Sequence, residues 1–109
     1  MQGTEVRSGN PVLALSGEID MASAEGVTAS LRPFIESGGP VIIDLSKVTF
    51  MDSTGLHVIV EAAKALGERG CIIVHGAHGP VAKVIEITRL GETRENIHII
   101  GCYVLVRAA

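Results

Sequence analysis

The feature of this sequence that most restricts its fold is an alternation of short apolar runs with longer segments of helical periodicity. Residues 41–45 (VIIDL) form one such run, which is typical of a strand buried on both faces. A helical pattern follows, with apolar residues spaced by three and four positions: Leu56, Ile59, Val60, Ala63 and Leu66. Because strands that alternate with helices are joined by crossover connections, this pattern predicts a mostly parallel sheet.

Further strands and helices are predicted on both sides of this central pair. Strands are expected at residues 4–7, 12–16, 71–75 and 97–100, and residues 17–20 (GEID) are expected to end the second of them. A helix is predicted from the N-cap residue Asp20 to the turn at residues 37–40 (SGGP), with a kink or an early end at Pro33. A third, shorter helix is predicted to begin near Pro80.

The predicted fold is a single α/β domain, residues 1–109, with the order β-β-α-β-α-β-α-β and a mostly parallel sheet of four to five strands. A chain of 109 residues, of which 47% are hydrophobic and 19% charged, can bury one core without disulfides or metals. Residues 101–109 are apolar without a clear period, so their conformation is left open.

Composition also restricts the partners. The formal net charge is −3, and the sequence has no block of Lys or Arg that could bind the phosphates of a nucleic acid. Its aromatic residues, on which bases could stack, are only two Phe and one Tyr. These properties argue against nucleic acid as a partner. The chain shows neither a signal peptide nor an apolar run of about 18 residues, so we expect a cytoplasmic protein without membrane insertion. Cys71 and Cys102 are too few for a disulfide framework, and whether they pair is left open.

Within the segment TFMDSTGL, residues 49–56, an acid, two hydroxyls and a glycine at positions 52–55 lie between the central strand and the helix that follows it. One interpretation is structural: Asp52 or Ser53 accepts hydrogen bonds from the first free N–H groups, and Gly55 allows close packing. The other is chemical, because a helix N-terminus favours an anion such as a phosphate on Ser53. Spacing alone leaves both interpretations open.

Catalytic interpretations lack the partner residues they require. The Asp-Thr/Ser-Gly segment of aspartic proteases has no additional residue before its glycine, whereas Thr54 intervenes here. Ser53 as a nucleophile has His57 nearby, but no third group to orient it and no Gly-x-Ser-x-Gly elbow. His75 and His78 have no Cys-x-x-Cys pair beside them, and their loop lacks the lysine of a phosphate-binding loop. We therefore predict no catalytic residue, no metal and no cofactor.

Two segments of the chain resemble the signature segments of the STAS domain, which occurs in sulfate transporters and anti-sigma factor antagonists. They are residues 17–20 (GEID) and residues 44–56 (DLSKVTFMDSTGL). Residues 80–88 (PVAKVIEIT) are similar to the third helix of the family, so the likeness covers about residues 10–100. Two features depart from it: Arg89 stands where a glycine commonly follows the threonine, and the tail from Gly91 lacks the usual acidic final helix.

The resemblance implies a bacterial anti-sigma factor antagonist that acts as a switch. Its unphosphorylated form would bind an anti-sigma factor, which is also a serine kinase, and free a sigma factor. Phosphorylation of Ser53 would end that binding, and a phosphatase would reset it. Asp20 would lie near this acceptor and form the partner-binding surface with Asp52, Ser53, Thr54 and Gly55.

Two alternatives belong to other classes. STAS-like proteins also occur as accessory subunits of membrane lipid-transport ATPases, where the domain acts as a structural clamp and needs no phosphoacceptor. The intact Ser53-Thr54 pair argues against this alternative. A module that binds a small nucleotide is the second, and no glycine-rich loop supports it.

Overall fold

The computed structural model describes residues 2–7 and 10–101, with side chains described from residue 11 onward. Its strands are β1 (Gln2–Arg7), β2 (Asn10–Ile19), β3 (Gly39–Met51), β4 (Gly70–His75) and β5 (Ile97–Ile100). They form one sheet in the order β1-β2-β3-β4-β5. β1 is antiparallel to β2, and the other three pairs are parallel. The predicted α/β class and mostly parallel sheet are confirmed.

Three helices connect the parallel strands: α1 (Met21–Ser37), α2 (Ser53–Leu66) and α3 (Gly79–Thr88). Short 3₁₀ turns follow α2 at Gly67–Arg69 and α3 at Leu90–Glu92. The element order is therefore the predicted β-β-α-β-α-β-α-β. Cys102 and the rest of residues 102–109, whose conformation the sequence left open, lie outside the described residues.

The core lies on one face of the sheet. Leu13 pairs with Ile43, Ile43 with Val74 and Val74 with Ile99, so their side chains form a row across four strands. This row belongs to one hydrophobic cluster that also contains the buried side chains of α1, α2 and α3. Since alternate strand residues point to opposite faces, the next row begins at Val12 on the other face, and Val12 is buried outside that cluster.

Strands β2 and β3 are longer than predicted, and their extra residues build the edge that carries the site. β2 continues through Gly17 to Ile19, and β3 extends on both sides of residues 41–45. The extensions pair with each other, Gly17 with Val48 and Ile19 with Met51, after two register shifts at which β3 contributes one residue more than β2. The apolar pattern missed them because several of their side chains are exposed, so no continuous apolar run marks them.

The early end predicted for the first helix at Pro33 is wrong. α1 continues to Ser37, where the N–H of Gly38 donates to the carbonyl of Phe34 across 3.0 Å. Pro33 removes the hydrogen bond that would reach the carbonyl of Ala29. Both residues are exposed, so water can satisfy that carbonyl and the helix tolerates the proline.

Helix α3 ends at a strained residue. Arg89 follows Thr88 with φ 53° and ψ 47°, the left-handed conformation that glycine adopts at helix ends. It is the one non-glycine residue with positive φ in the described part of the chain. Its N–H donates to the carbonyls of Ile85 and Glu86. Arg89 thus ends the helix in a conformation that would cost glycine less.

Candidate functional site

The residues predicted to form the site follow two neighbouring strands at the carboxyl edge of the sheet. Ile19, the last residue of β2, is in register with Met51, the last residue of β3. The backbone N–H of Asp52 donates to the carbonyl of Ile19 across 3.3 Å. Asp20 and Asp52 therefore follow strands whose backbones lie about 4.8 Å apart. The fold brings two segments together that are distant in the sequence.

Asp52 caps α2, and Ser53 is the first residue of that helix. The Asp52 side chain accepts a hydrogen bond from the Thr54 N–H at 2.9 Å. Its backbone carbonyl accepts from the N–H groups of Gly55 at 3.1 Å and Leu56 at 3.3 Å. Ser53 is exposed, and its hydroxyl has no hydrogen-bond partner among the described residues. Because Asp52 starts the helix, the Ser53 hydroxyl is free for another purpose.

Asp20 caps α1 in a reciprocal arrangement. Its carboxylate accepts hydrogen bonds from the N–H groups of Ala22 at 3.0 Å and Ser23 at 3.1 Å. The Ser23 hydroxyl oxygen accepts from the Asp20 N–H at 3.0 Å, and this hydroxyl also donates to the carbonyl of Glu18 at 3.0 Å. The Asp20 cap was predicted from the sequence, but the part played by Ser23 was not. The spacing Asp-x-x-Ser, which resembles a capping box, was the signal that could have revealed it.

Gly55 holds the first turn of α2 against the strand ends. A Cβ at this position would lie 2.5 Å from Met51 Cγ and 2.9 Å from Ile19 Cγ2. Real Cβ atoms do not approach other atoms so closely, so only glycine fits without displacing its neighbours. Gly55 thereby connects the helix that carries Ser53 to both strands that form the edge.

Two exposed apolar side chains flank the site, and the sequence analysis did not identify either. Met21, the first residue of α1, is 81% exposed, and Phe50, next to the end of β3, is 43% exposed. Phe50 pairs in register with Glu18, which is exposed as well. The edge around Ser53 therefore combines apolar and acidic side chains.

The other candidate residues do not join this site. His57 is exposed on α2 and has no hydrogen bond to the Ser53 hydroxyl. His78 Nε2 lies 2.8 Å from the carbonyl oxygen of Ser46, and His75 Nδ1 lies 4.0 Å from a carboxylate oxygen of Asp44. Within the described residues, no three His, Cys, Asp or Glu side chains are placed to hold a metal ion. No helix over those residues is long and apolar enough to cross a membrane.

An open recess of about 700 Å³ lies at the opposite edge of the sheet, where β4 and β5 begin. Cys71, which is half-buried, and His98 contribute to its lining, as does Asn96. The Asn96 side-chain amide donates to three carbonyls at the end of α2 and the start of β4. The polar lining of this recess thus includes groups that stabilise a helix end, far from Ser53.

Comparison with known proteins relates most of the chain to one family. The sequence pattern of the STAS domain matches residues 3–99. The anti-sigma-B factor antagonist of Listeria monocytogenes is 36% identical over 89 residues, which cover 80% of this chain and 78% of that protein.

Solved structures agree with this comparison. The crystal structure of an anti-sigma factor antagonist from Mycobacterium paratuberculosis matches with a TM-score of 0.74 and 26% identity, over 90% of this chain and 84% of the other. The Bacillus cell fate determinant SpoIIAA in its phosphorylated form matches with a TM-score of 0.61 and 22% identity, over 91% and 90% of the two chains. At that identity the second similarity concerns the fold.

Proposed function

The chain belongs to the STAS domain family, and on that basis we propose that it is an anti-sigma factor antagonist switched by phosphorylation of Ser53. The unphosphorylated form binds an anti-sigma factor and releases a sigma factor. The anti-sigma factor, acting as a serine kinase, phosphorylates Ser53 and ends the binding, and a phosphatase restores it. The chain is then a regulatory binding protein, as relatives named anti-sigma factor antagonists are, rather than an enzyme.

One observation supports this proposal above the others: the Ser53 hydroxyl is exposed and unpaired within the described structure, on a segment that its neighbours hold rigidly. Asp52 caps the helix through the Thr54 N–H, and Gly55 packs on the strand ends. A kinase can therefore reach the hydroxyl without unfolding any part of the domain. Because the Asp52 carboxylate caps the helix, a purely structural role would not require a hydroxyl at the exposed position 53.

The transfer itself requires a base from the partner. The Ser53 oxygen would form a bond to the γ-phosphorus of ATP while the bond from that phosphorus to the ADP oxygen breaks. The hydroxyl proton must leave, and no side chain within the described residues is hydrogen-bonded to the Ser53 hydroxyl to accept it. The kinase therefore supplies the base, and this chain supplies the acceptor oxygen in a fixed position.

Phosphorylation would act through local electrostatics. A phosphoserine adds about −1.5 to −2 charges at neutral pH. It would stand beside Asp52 on its own helix and Asp20 on the adjacent strand end. Burial of the phosphate in an interface would require its desolvation next to like charges, which is costly. A loss of about 3 kcal/mol weakens binding by about a hundredfold, so no change of fold is needed.

The acceptor assignment is tested by incubating the protein with its anti-sigma kinase and ATP and mapping the phosphate by mass spectrometry. We expect one phosphate on Ser53 and none on the Ser53→Ala variant. Ser37→Ala is the matched control, because it removes an exposed hydroxyl at the far end of α1 and should leave phosphorylation intact. A phosphate at another residue, or continued labelling of Ser53→Ala, would show that the assignment is wrong.

The electrostatic mechanism is tested by measuring binding of variants to the anti-sigma factor. Ser53→Ala should bind as the unmodified protein does, and Ser53→Glu should bind more weakly. Ser37→Glu adds the same charge at the far end of α1, about 25 Å along the helix from its first residue, Met21. This variant should change binding little. Equal affinities for Ser53→Ala and Ser53→Glu would exclude the mechanism.

A further inference from the structure

Two of the large apolar side chains that are exposed in the described part of the chain lie at the edge that carries Ser53. They are Met21 at 81% exposure and Phe50 at 43%. The others are Ile87 at 67% on α3 and Ile100 at 49% on β5. Single exposed apolar residues need no explanation, but two on one edge that also carries a candidate modification site suggest a contact surface.

Met21 and Ser53 occupy equivalent places on neighbouring helices. Each is the first residue of its helix and directly follows the aspartate that caps it. The strands that precede the two aspartates end in register, and α1 and α2 both pack on the shared core. Neighbouring packed helices lie about 8–10 Å apart, so a partner that covers about 800 Å² at Ser53 also covers Met21.

The fold does not need a methionine at this position. Met21 is outside the hydrophobic cluster, and the start of α1 is secured by Asp20 and Ser23. The first position of a helix favours proline or an acidic residue rather than methionine. A methionine side chain is unbranched and adapts to irregular apolar pockets, which suits it to a binding surface.

The charges around Met21 indicate the chemistry of what would cover it. Glu18 and Asp20 precede it on the chain, and Asp52 follows the neighbouring strand. Lys47 is the basic residue closest to this edge on β3, and it lies four positions before Met51 along the strand. A complementary partner would therefore present an apolar pocket with basic side chains at its rim.

We propose that Met21 is an apolar anchor of the surface that binds the anti-sigma factor. The proposal rests on the proposed function and deepens it. Met21 inserts into an apolar pocket of the anti-sigma factor, while Glu18, Asp20 and Asp52 face basic groups at the rim of that pocket. Ser53 carries the on–off signal, and Met21 supplies affinity.

The test compares the affinity of Met21→Ala and Ile87→Ala for the anti-sigma factor by calorimetry, with the unmodified chain as reference. Ile87 is the matched control, because it is comparably exposed but lies on α3. We expect Met21→Ala to weaken binding by about 10- to 100-fold, as truncation of an anchor does. Met21→Leu, which keeps the apolar volume, should recover most of the affinity, and Ile87→Ala should change it by less than about twofold.

Failure of the proposed function and failure of the Met21 anchor give different results. If the unmodified chain does not bind an anti-sigma factor, the proposed function fails. If it binds and Met21→Ala binds equally well, the function stands and the anchor is refuted. Equal losses for Met21→Ala and Ile87→Ala would also refute it, because the effect would not belong to this edge. Thermal melts should show no loss of stability in Met21→Ala, since alanine is favoured in helices and the side chain lies outside the core.

Discussion

Replacement of Gly55 with alanine tests whether α2, and with it Ser53, is held by close contact with the strand ends. Helix propensity alone predicts that the change stabilises the protein by about 1 kcal/mol, because glycine is the poorer helix former. The structure predicts the opposite sign. The new Cβ would lie 2.5 Å from Met51 Cγ and 2.9 Å from both Met51 Sδ and Ile19 Cγ2. Met51 and Ile19 are 2% and 3% exposed, so neither can move aside into solvent.

The expected size follows from these two opposing effects. Extra volume in a packed core costs about 1–3 kcal/mol. When the gain in propensity of about 1 kcal/mol is subtracted, a net destabilisation of about 1 kcal/mol remains for Gly55→Ala. Gly26 provides a matched control, because it is an exposed glycine inside α1. Because that position is exposed, the same substitution should stabilise the protein by about 1 kcal/mol.

Urea unfolding followed by far-UV circular dichroism measures both variants. With an m-value of about 2 kcal/mol/M, the midpoints of Gly55→Ala and Gly26→Ala should differ by about 1 M, on opposite sides of the parent protein. Phosphorylation of Ser53 should slow only in Gly55→Ala, because the first turn of α2 would be displaced. If Gly55→Ala stabilises the protein as much as Gly26→Ala does, the close contact at Gly55 does not constrain the helix.

Two further predictions concern the ends of α2 and α3. Asn96→Ala should lower the free energy of unfolding by about 1–3 kcal/mol, because the amide nitrogen lies 2.7 Å from the Ala63 carbonyl oxygen, 3.1 Å from that of Gly67 and 3.2 Å from that of Gly70; an unchanged thermal midpoint would contradict this. Arg89→Gly should raise stability by up to about 1 kcal/mol by relieving the left-handed conformation at φ 53°. The exposed Arg89–Glu92 ion pair at 3.8 Å contributes little, so a fall in the melting temperature would refute the strain.

The features of the fold that depend on residues close together in the sequence were predicted correctly. The apolar spacing from Leu56 to Leu66 predicted α2, which ends at Leu66 with Gly67 as its C-cap. Asp20 was expected to cap the first helix and does so. Periodicity and capping act over a few residues, so a local pattern contains the information that determines them.

Predictions that required knowledge of the environment were less successful. Pro33 was expected to kink or end α1, but the helix continues to Ser37, because Pro33 lies on the exposed side, where water can satisfy the carbonyl that it leaves unpaired. The extensions of β2 and β3 were missed because exposed side chains interrupt their apolar pattern. In each case, burial decided the outcome, and burial depends on residues far away in the chain.

The sequence by itself determined the order of strands and helices and the cap at Asp20, because each depends on short-range spacing. Ser53 as a candidate acceptor came from the family resemblance, and the choice of Asp52 rather than Ser53 as the cap of α2 required the structure. Only the tertiary structure decided that Ile19 and Met51 end in register and that Gly55 touches both. It alone showed that Met21 remains exposed beside the site. The physical reason is that strand register, including its two shifts between β2 and β3, is set by packing across the whole sheet, which no local pattern encodes.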